Sequence, residues 1–373
     1  MKMTGNSIPS LYIHVPFCVH ICHYCDFRRR VYRNETADRW LEALKSEFSA
    51  FPVETLPETI YIGGGTPSCL SNRQLKLLFE LLKPYTERCR EFTIECNPEL
   101  NDPEKINLFR EYGVNRISMG LQTHDSRLLN KLNRHHTFED AKRLCDQLRE
   151  AGIANISIDL MYGLPAQDRT SLSQSIDAAL SLNPYHMSLY SLTIEENSVF
   201  GKKGVKPADE DLEADMYEDL CERLCREGFI HYEISNFALP GYASVHNTNT
   251  WKYRYFHGFG FGAWGMDDKG RYEHASTLNE YLEHPRDRFY TRLSEKEQMF
   301  EMIMMGLRLK DGISENEFHR RFGVEIHDMY PKCIHSFNAQ GLLLEQKNRL
   351  MCTEYGWRIL NTVLTGFLEE ADL

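Results

Sequence analysis

Residues 11–27 read LYIHVPFCVHICHYCDF, and this stretch decides the fold that we expect for the rest of the chain. It begins with a short apolar run, residues 11–15, which predicts a β-strand that ends at Pro16. Three cysteines follow in the spacing C-x3-C-x2-C: Cys18, Cys22 and Cys25. A 4Fe-4S cluster that only carries electrons takes four protein ligands, so three closely spaced thiolates leave one iron free for a substrate or cofactor. The stretch therefore predicts a 4Fe-4S cluster with one open iron.

Two simpler interpretations of the cysteines stay open when only their spacing is considered. They are a zinc site and a set of three unrelated buried thiols. Structural zinc sites take four ligands, often from paired C-x2-C units. The chain has no second C-x2-C unit besides residues 22–25, and this favours the cluster over zinc.

Composition limits what the protein can be. With 373 residues, the chain is long enough for about two domains and a large core. Its net charge of −11 argues against broad binding to nucleic acids or anionic membranes. The first residues lack the apolar core of a signal peptide, and no uncharged apolar run approaches the roughly 20 residues of a membrane span. The eleven scattered cysteines fit free thiols plus one metal cluster in a reducing compartment, so we expect a cytoplasmic protein without a transmembrane segment.

Predicted strands and helices alternate along the first half of the chain. The predicted strands are residues 11–15, 58–62, 91–95, 116–119, 155–159 and 186–192. The predicted helices between them are residues 34–51, 74–82, 103–112, 138–151 and 172–182. Such alternation implies right-handed crossovers and a parallel sheet with helices outside. Six units fall short of the eight that close a full barrel. We therefore expect an α/β fold, an open (β/α)6 partial TIM-type barrel, with ligands at the carboxyl ends of its strands.

Each predicted strand ends, rather than begins, in a polar or glycine-rich segment. The second strand runs into Gly63-Gly64-Gly65-Thr66-Pro67, where residues without Cβ let the backbone approach a ligand closely. A tight turn explains the same residues equally well. The third strand ends at Glu95, whose carboxylate is either solvated or suited to holding ribose hydroxyls. The later strand ends add Gln122, Arg134 and Asp159.

These motifs, taken in order, resemble over about residues 1–265 the radical S-adenosylmethionine (SAM) family of oxygen-independent coproporphyrinogen III oxidase, and most closely its HemW heme-chaperone branch. The resemblance implies that the three cysteines ligate a 4Fe-4S cluster. It also implies that Tyr12, Gly64 and Glu95 contact the SAM on the open iron. For a second SAM, the matching residues are Tyr24, Gly65, Thr66, Gln122, Arg134 and Asp159. A salt bridge between Arg134 and Asp159 is the simpler alternative for those two side chains.

Two features distinguish the branches of this family. The decarboxylating oxidase carries a further cysteine two positions after the third ligand, and an N-terminal extension before its first strand. Here Phe27 occupies that position, and the first strand starts near residue 11. Both differences favour the HemW branch, so we expect no decarboxylation of coproporphyrinogen III.

A further motif of the HemW branch, H-N-x-x-Y-W, is implicated in heme binding. This chain has His246, Asn247 and Trp251, with Thr250 in place of the tyrosine. Trp264 stands where the family usually has a histidine. The resemblance implies that His246 ligates heme iron while Trp251 flanks the porphyrin. The alternative is a hydrogen-bonded loop histidine beside a packed tryptophan.

The end of the chain predicts a separate small module. Helices at residues 294–309 and 315–322, followed by a hairpin at 342–353, resemble a winged helix. We therefore expect a radical SAM barrel with its extension in residues 1–285 and an α+β winged-helix-like domain in residues 286–373. Neither the helices nor the hairpin carry the dense basic face that DNA binding needs, so no nucleic-acid partner is expected.

These observations lead to one functional hypothesis and one alternative. The hypothesis is a heme chaperone that carries a 4Fe-4S cluster and SAM, receives electrons from a donor, and transfers heme to acceptor apoproteins. The alternative is a radical SAM enzyme that acts on a porphyrin or another substrate. The sequence leaves open whether SAM is turned over, which apoprotein receives heme, and the oligomeric state.

Overall fold

The strands form one large sheet and two small ones. A computed structural model describes residues 10–52, 56–100 and 102–373. In chain order, the strands of these residues are β1 (Ser10–Val15), β2 (Phe17–Cys18), β3 (Arg30–Val31), β4 (Thr59–Gly64), β5 (Glu91–Cys96), β6 (Arg116–Gln122), β7 (Asn155–Tyr162), β8 (His186–Ser191), β9 (Ile230–Glu233), β10 (Asn236–Ala238), β11 (Phe256–Phe259), β12 (Trp264–Asp267), β13 (Gly270–Glu273), β14 (Phe289–Thr291), β15 (Ile313–Ser314), β16 (Leu343–Glu345) and β17 (Arg349–Cys352).

Helices connect most of these strands. In chain order, they are α1 (Asn34–Phe48), α2 (Asn72–Leu82), α3 (Pro103–Glu111), α4 (Ser126–Lys131), α5 (Phe138–Glu150), α6 (Arg169–Ser181), α7 (Val199–Lys202), α8 (Glu210–Arg226), α9 (Val245–Trp251), α10 (Leu278–Glu283), α11 (Glu295–Gly306), α12 (Glu315–Phe322), α13 (Ile326–Met329), α14 (Pro331–Ala339), α15 (Glu354–Arg358) and α16 (Leu360–Ala371). No helix in the described part of the chain is both long enough and apolar enough to cross a membrane.

Six parallel strands make the centre of the large sheet, in the order β1-β4-β5-β6-β7-β8. Helices α1, α2, α3, α5 and α6 supply the crossovers between consecutive strands. The predicted partial barrel, with its six strands, is confirmed. Because every strand runs the same way, the segments that follow the strands meet at one end of the barrel.

The two faces of the barrel strands differ in polarity. On β1, Leu11, Ile13 and Val15 are fully buried in the apolar core that the strands share with the helices. Side chains alternate along a strand, so the residues between them face the barrel interior. That interior is lined largely by polar side chains, which on these strands are Ser10, Tyr12, His14, Thr59, Tyr61, Glu91, Thr93, Glu95, Arg116, Ser118, Ser157, Asp159, His186, Ser188 and Tyr190.

Short strands that the sequence did not predict extend the barrel at both edges. On one side β11 pairs in parallel with β1, and β12, β13 and β14 follow as antiparallel strands. On the other side β10 and β9 continue from β8 as antiparallel strands. The sheet therefore has more than the six predicted strands, and its two edges do not pair with each other in the described residues.

Helix α9 covers the end of the barrel where the strands begin. The carboxylate of Glu91, at the start of β5, accepts hydrogen bonds from Ser244 Oγ (3.1 Å), Val245 N (2.8 Å) and His246 N (2.9 Å). A negative charge at a helix N-terminus satisfies the free amides of the first turn. His246 therefore lies on a helix and not on a loop, as the alternative interpretation of this histidine had it.

The last part of the chain folds around the small sheet β15-β17-β16. The predicted helices of this region are present, and the β16–β17 hairpin lies where the sequence predicted it. Its apolar core also includes Tyr253 and Met266 from the barrel extension. Strand β14 pairs with β13 only a few residues after the expected boundary at residue 285, so that boundary stays a prediction.

Candidate cluster and cofactor site

The cysteine loop is fixed at both ends by backbone hydrogen bonds. Strands β2 and β3 pair in parallel, and Cys18 and Val31 are partners in this register. Arg30 N donates to Pro16 O (2.7 Å) and Tyr32 N donates to Cys18 O (2.8 Å). The loop between these strands contains the other two cysteines and leaves the carboxyl end of β1. The sequence spacing and the topology therefore place all three thiols at the carboxyl end of the barrel.

The glycine segment after β4 packs directly on this loop. Gly65 N donates to Val15 O (2.8 Å), and Thr66 N donates to Phe17 O (2.7 Å). A Cβ on Gly65 would lie 2.5 Å from Phe17 O, which is too close for any side chain. Gly64 has a φ of +110°, which L side chains rarely adopt. The segment is thus more than a tight turn, because its missing side chains allow the close approach of two backbones.

Polar groups surround the thiols. Thr66 Oγ1 lies 3.6 Å from Cys18 Sγ, and Arg134 Nη1 lies 3.7 Å from Cys22 Sγ. Burial raises the pKa of the Cys18 thiol, and raises that of Cys25 to about 12. Buried thiols of this kind become thiolates at neutral pH only when a cation accompanies them. The donor set therefore fits a metal cluster, with Arg134 as a buried positive charge beside it.

Glu95 is held by two donors at the rim of the barrel. Gly64 N donates to Oε2 (3.1 Å) and Tyr61 OH donates to Oε1 (2.8 Å). Burial is the main reason that the pKa of Glu95 rises to about 7, and the nearby Asp159 carboxylate adds to the rise. The side chain is only partly buried, so its remaining lone pairs can accept hydrogen bonds from a ligand's hydroxyls.

Asp159 and Arg134 occupy the same rim but do not pair with each other. Ser118 Oγ donates to Asp159 at 3.0 Å, and burial raises the pKa of the Asp159 carboxyl. Arg134 instead donates to Gly120 O and contacts the Cys22 sulfur. No ion pair joins these two residues in the structure, so the salt-bridge alternative is not supported.

Of the remaining predicted SAM residues, Gln122 and Tyr24 lie around the same opening, whereas Tyr12 lies deeper in the barrel, with its ring centre 6.5 Å from that of His246. Gln122 is buried in a left-handed conformation (φ 65°), and its amide and the Arg134 guanidinium both converge on Gly120. Tyr24 packs against a small apolar cluster that includes Leu128 and Leu132. Tyr12 is partly buried within the barrel, with its hydroxyl 3.0 Å from His14 Nδ1.

His246 is the exception among the predicted site residues, because it lies at the opposite end of the barrel. Its ring is buried, with Nδ1 2.9 Å from Thr59 Oγ1 and the ring centre 4.9 Å from that of Tyr61. Burial lowers its pKa to about 3, so the imidazole is neutral at physiological pH. The Arg308 guanidinium covers the Trp251 ring at 4.4 Å. Protein groups therefore already occupy the His246 Nδ1 position and one face of Trp251.

Sequence reasoning missed three inward residues that shape the site. His14 links Tyr12 to the cysteine loop, because its Nε2 lies 2.9 Å from Arg28 O. Arg116 is almost completely buried, and Tyr190 is 43 % exposed toward the interior. Side chains alternate along a strand, so the spacing of two residues from other inward side chains could have predicted that these three also face the interior.

A parallel barrel with three cysteines at its carboxyl end defines the class as radical SAM. The Radical SAM superfamily matches residues 12–179, and the HemN C-terminal domain matches residues 293–359. In structure, the chain is similar to coproporphyrinogen III oxidase (HemN) from Escherichia coli, with a TM-score of 0.85 and 20 % identity over 98 % of this chain and 91 % of that one. That likeness concerns the fold alone.

Relatives in sequence narrow the class further. The chain is 38 % identical to the heme chaperone HemW of Lactococcus lactis subsp. lactis (strain IL1403), over 96 % of this chain and 97 % of that protein. It is 36 % identical to HemW of Bacillus subtilis (strain 168), over 97 % and 99 %. Identity to HemW of Escherichia coli (strain K12) is 33 %, over 97 % and 98 %. The chain belongs to the HemW family.

Proposed function

We propose that this protein is a heme chaperone that holds a 4Fe-4S cluster and SAM, binds heme and passes it to acceptor apoproteins. The observation that carries the proposal is the convergence of the cysteine loop, the glycine segment and Glu95 at one end of the barrel. It is supported by near full-length similarity to proteins named heme chaperones. We also propose a cytoplasmic location, because a chain with many free cysteines in addition to its cluster ligands suits a reducing compartment.

The proposed cluster ligands are Cys18, Cys22 and Cys25. When bound, the cluster supplies an open iron for SAM and a one-electron redox couple. The residues around it hold and orient: Thr66 and Arg134 contact the ligating sulfurs, and Arg134 offsets their negative charge. We propose that an electron donor reduces the cluster, from the side where Cys22 and Cys25 are partly exposed.

The proposed SAM contacts follow from hydrogen-bonding capacity. We propose that Tyr12, Gly64 and Glu95 contact the SAM on the open iron, and Glu95 keeps lone pairs for ribose hydroxyls. A second SAM would meet a cationic and amide face made by Arg134 and Gln122, which suits a carboxylate. The other residues proposed for this second position are Tyr24, Gly65, Thr66 and Asp159.

The cluster assignment is tested by anaerobic reconstitution. We expect about four irons and four sulfides per chain, as a 4Fe-4S cluster requires. Cys22→Ser should abolish the sulfur-to-iron charge-transfer absorption. Cys225→Ser is the matched control, because Cys225 is an exposed thiol on α8, and it should keep the full iron content. Iron retained after replacement of all three cysteines would refute the assignment.

The alternative, a radical SAM enzyme, is separated by two assays on the same preparation. One incubates the reduced protein with SAM and coproporphyrinogen III and measures decarboxylated products. The other mixes heme-loaded protein with a heme-free acceptor and follows transfer by absorption. We expect transfer without decarboxylation, because Phe27 occupies the position of the oxidase's further cysteine. Decarboxylation without transfer would reverse the proposal.

A further inference from the structure

The burial of His246 leaves the heme site unassigned. A chaperone must hand its cargo to another protein, so the ligand that holds heme needs access to the surface. His246 lies at the closed end of the barrel, and its Nδ1 is already engaged by Thr59. Opening this end would break the three hydrogen bonds that Glu91 makes to α9. A different histidine fits the task better.

His20 and His135 form an exposed pair at the mouth of the barrel. His20 lies in the cysteine loop, and His135 follows Arg134 in the connection between α4 and α5. Their ring centres are 4.3 Å apart, with an angle of 53° between the planes. In the described part of the chain, neither imidazole has a hydrogen-bond or ion-pair partner. Their ring nitrogens therefore face solvent without competition from the protein.

The two segments that carry these histidines are tied together by hydrogen bonds. His23 N donates to Leu132 O (3.0 Å), and Asn133 Nδ2 donates to Ile21 O (2.9 Å). The His23 ring also contacts Lys131 O through Nδ1 (2.8 Å). These hydrogen bonds fix the two segments relative to each other, and so hold the two histidines close together.

The surroundings suit an apolar and anionic ligand. Val19, directly before His20, is 54 % exposed, and Phe27 on the same loop is 63 % exposed. These two side chains would give apolar contacts to a ligand held by the histidine pair. The loop continues into Arg30 and Arg33, which are exposed and form no ion pair among the described residues. These two arginines, on a connection that also carries the exposed Asp26, would offer positive charge to porphyrin carboxylates that extend toward them.

We propose that heme binds at this mouth, with one imidazole of the His20–His135 pair as its axial ligand. Metal–nitrogen bonds of about 2 Å on each side would separate two sandwiching rings by more than the observed 4.3 Å. In this proposal one histidine therefore binds the iron at a time, and the neighbouring imidazole can exchange with it as the ligand. The opposite face of the heme stays open to the ligand of an acceptor protein. This inference rests on the proposed function.

The test compares heme titrations of cluster-loaded variants by Soret absorption. We expect the His20→Ala/His135→Ala double variant to lose tenfold or more in affinity. His246→Ala should stay within twofold of wild type. His335→Ala is the matched control, because it removes another exposed histidine far along the chain, and it should also be unchanged. The cluster absorption, recorded in the same samples before heme is added, reports on the integrity of the loop.

A second measurement uses the unmodified protein. Diethylpyrocarbonate modifies accessible imidazoles, and mass spectrometry locates the modified residues. Bound heme should protect His20 and His135 and leave His335 reactive. A double variant that titrates like wild type, or protection elsewhere, would overturn the inference while leaving the chaperone function intact. Wild-type protein that binds no heme would instead refute the proposed function itself.

Discussion

Glu95 illustrates how single inward residues set the chemistry of this barrel. The strands alternate between apolar side chains that face the helices and polar side chains that face the interior. A carboxyl group in that interior is expensive to charge, because burial removes water from it. Tyr61 and Gly64 donate hydrogen bonds that partly offset this cost, yet the pKa still rises to about 7.

This raised pKa predicts a pH dependence of stability in the SAM-free protein. The pKa of Glu95 is about 4.5 in an ordinary environment and about 7 in the fold, so the folded state holds the proton more tightly. The contribution to stability is fully present below pH 4.5 and is lost as the pH rises through 7. Glu95→Gln should reduce the change in unfolding free energy across this window by up to about 3 kcal/mol.

Urea unfolding at several pH values measures this effect. The Asp159 carboxyl, whose pKa is also raised, contributes to the slope in both proteins, so the difference between them reports Glu95 together with its interaction with Asp159. Glu87→Gln removes an exposed carboxylate and should leave the slope unchanged. Parallel slopes for Glu95→Gln and wild type would show that the buried carboxyl does not titrate as argued.

Among elements, the contact between the glycine segment and the cysteine loop is the most demanding. We expect Gly65→Ala to displace Phe17, because the new Cβ would lie 2.5 Å from its carbonyl oxygen. Iron content after reconstitution should fall severalfold. Gly113→Ala, where a Cβ meets no atom but φ is +81°, should lower stability while keeping the iron content per folded chain. Equal iron in both variants would contradict the role of this contact.

Helix α9 depends on tertiary contacts more than on its own sequence. Its residues, VHNTNTW, are weak helix formers, which is why the sequence did not predict it. Glu91→Gln should destabilise the protein by about 1–3 kcal/mol, because the amide has one acceptor oxygen in place of two and its NH2 group would face a donor from α9. Denaturant midpoints measure the change, and Glu222→Gln on the surface should stay within about 0.5 kcal/mol of wild type. A midpoint unchanged by Glu91→Gln would show that α9 needs no anchor.

Elements with a local sequence pattern could be predicted, and elements that depend on distant contacts could not. The six barrel strands were predictable because their outer faces repeat apolar residues between helices with clear periodicity. The positions of the three cysteines and Glu95 at the carboxyl ends of the strands were predictable because they follow directly from the strand assignments. Strands β9 to β14 were not, because they are only three or four residues long and their pairing depends on distant partners. The place of His246 was missed for the same reason, since its contacts come from residues far away in the chain.

At the scale of the whole molecule, the barrel and the C-terminal region share interactions. Ile234 N donates to Arg308 O (3.3 Å), and Lys310 N donates to Tyr232 O (2.9 Å). The Arg308 guanidinium lies 3.4 Å from the carboxylate of Glu233, which is fully buried. The second core also combines Met266 with residues after 299. We therefore expect the two regions to unfold together.

Arg308→Gln tests this coupling. Removing one partner of a buried ion pair leaves an uncompensated charge, so unfolding free energy should fall by about 2 kcal/mol or more. The double variant Glu233→Gln/Arg308→Gln removes both charges and should recover much of the loss. Denaturation followed separately by far-ultraviolet circular dichroism and tryptophan fluorescence should show one transition in wild type. Two separate transitions would mean that the regions are independent.

Helix α9 has one more consequence, which concerns the order of events. Since it covers the end where the strands start, a ligand that moves along the barrel axis enters and leaves by the mouth beside the cysteines. Two ligands that share this mouth must leave in the reverse of the order in which they entered. A porphyrin bound across the mouth of the barrel would trap a SAM molecule that lies deeper inside. Exchange of SAM should therefore slow when heme is present and resume once the heme has been delivered.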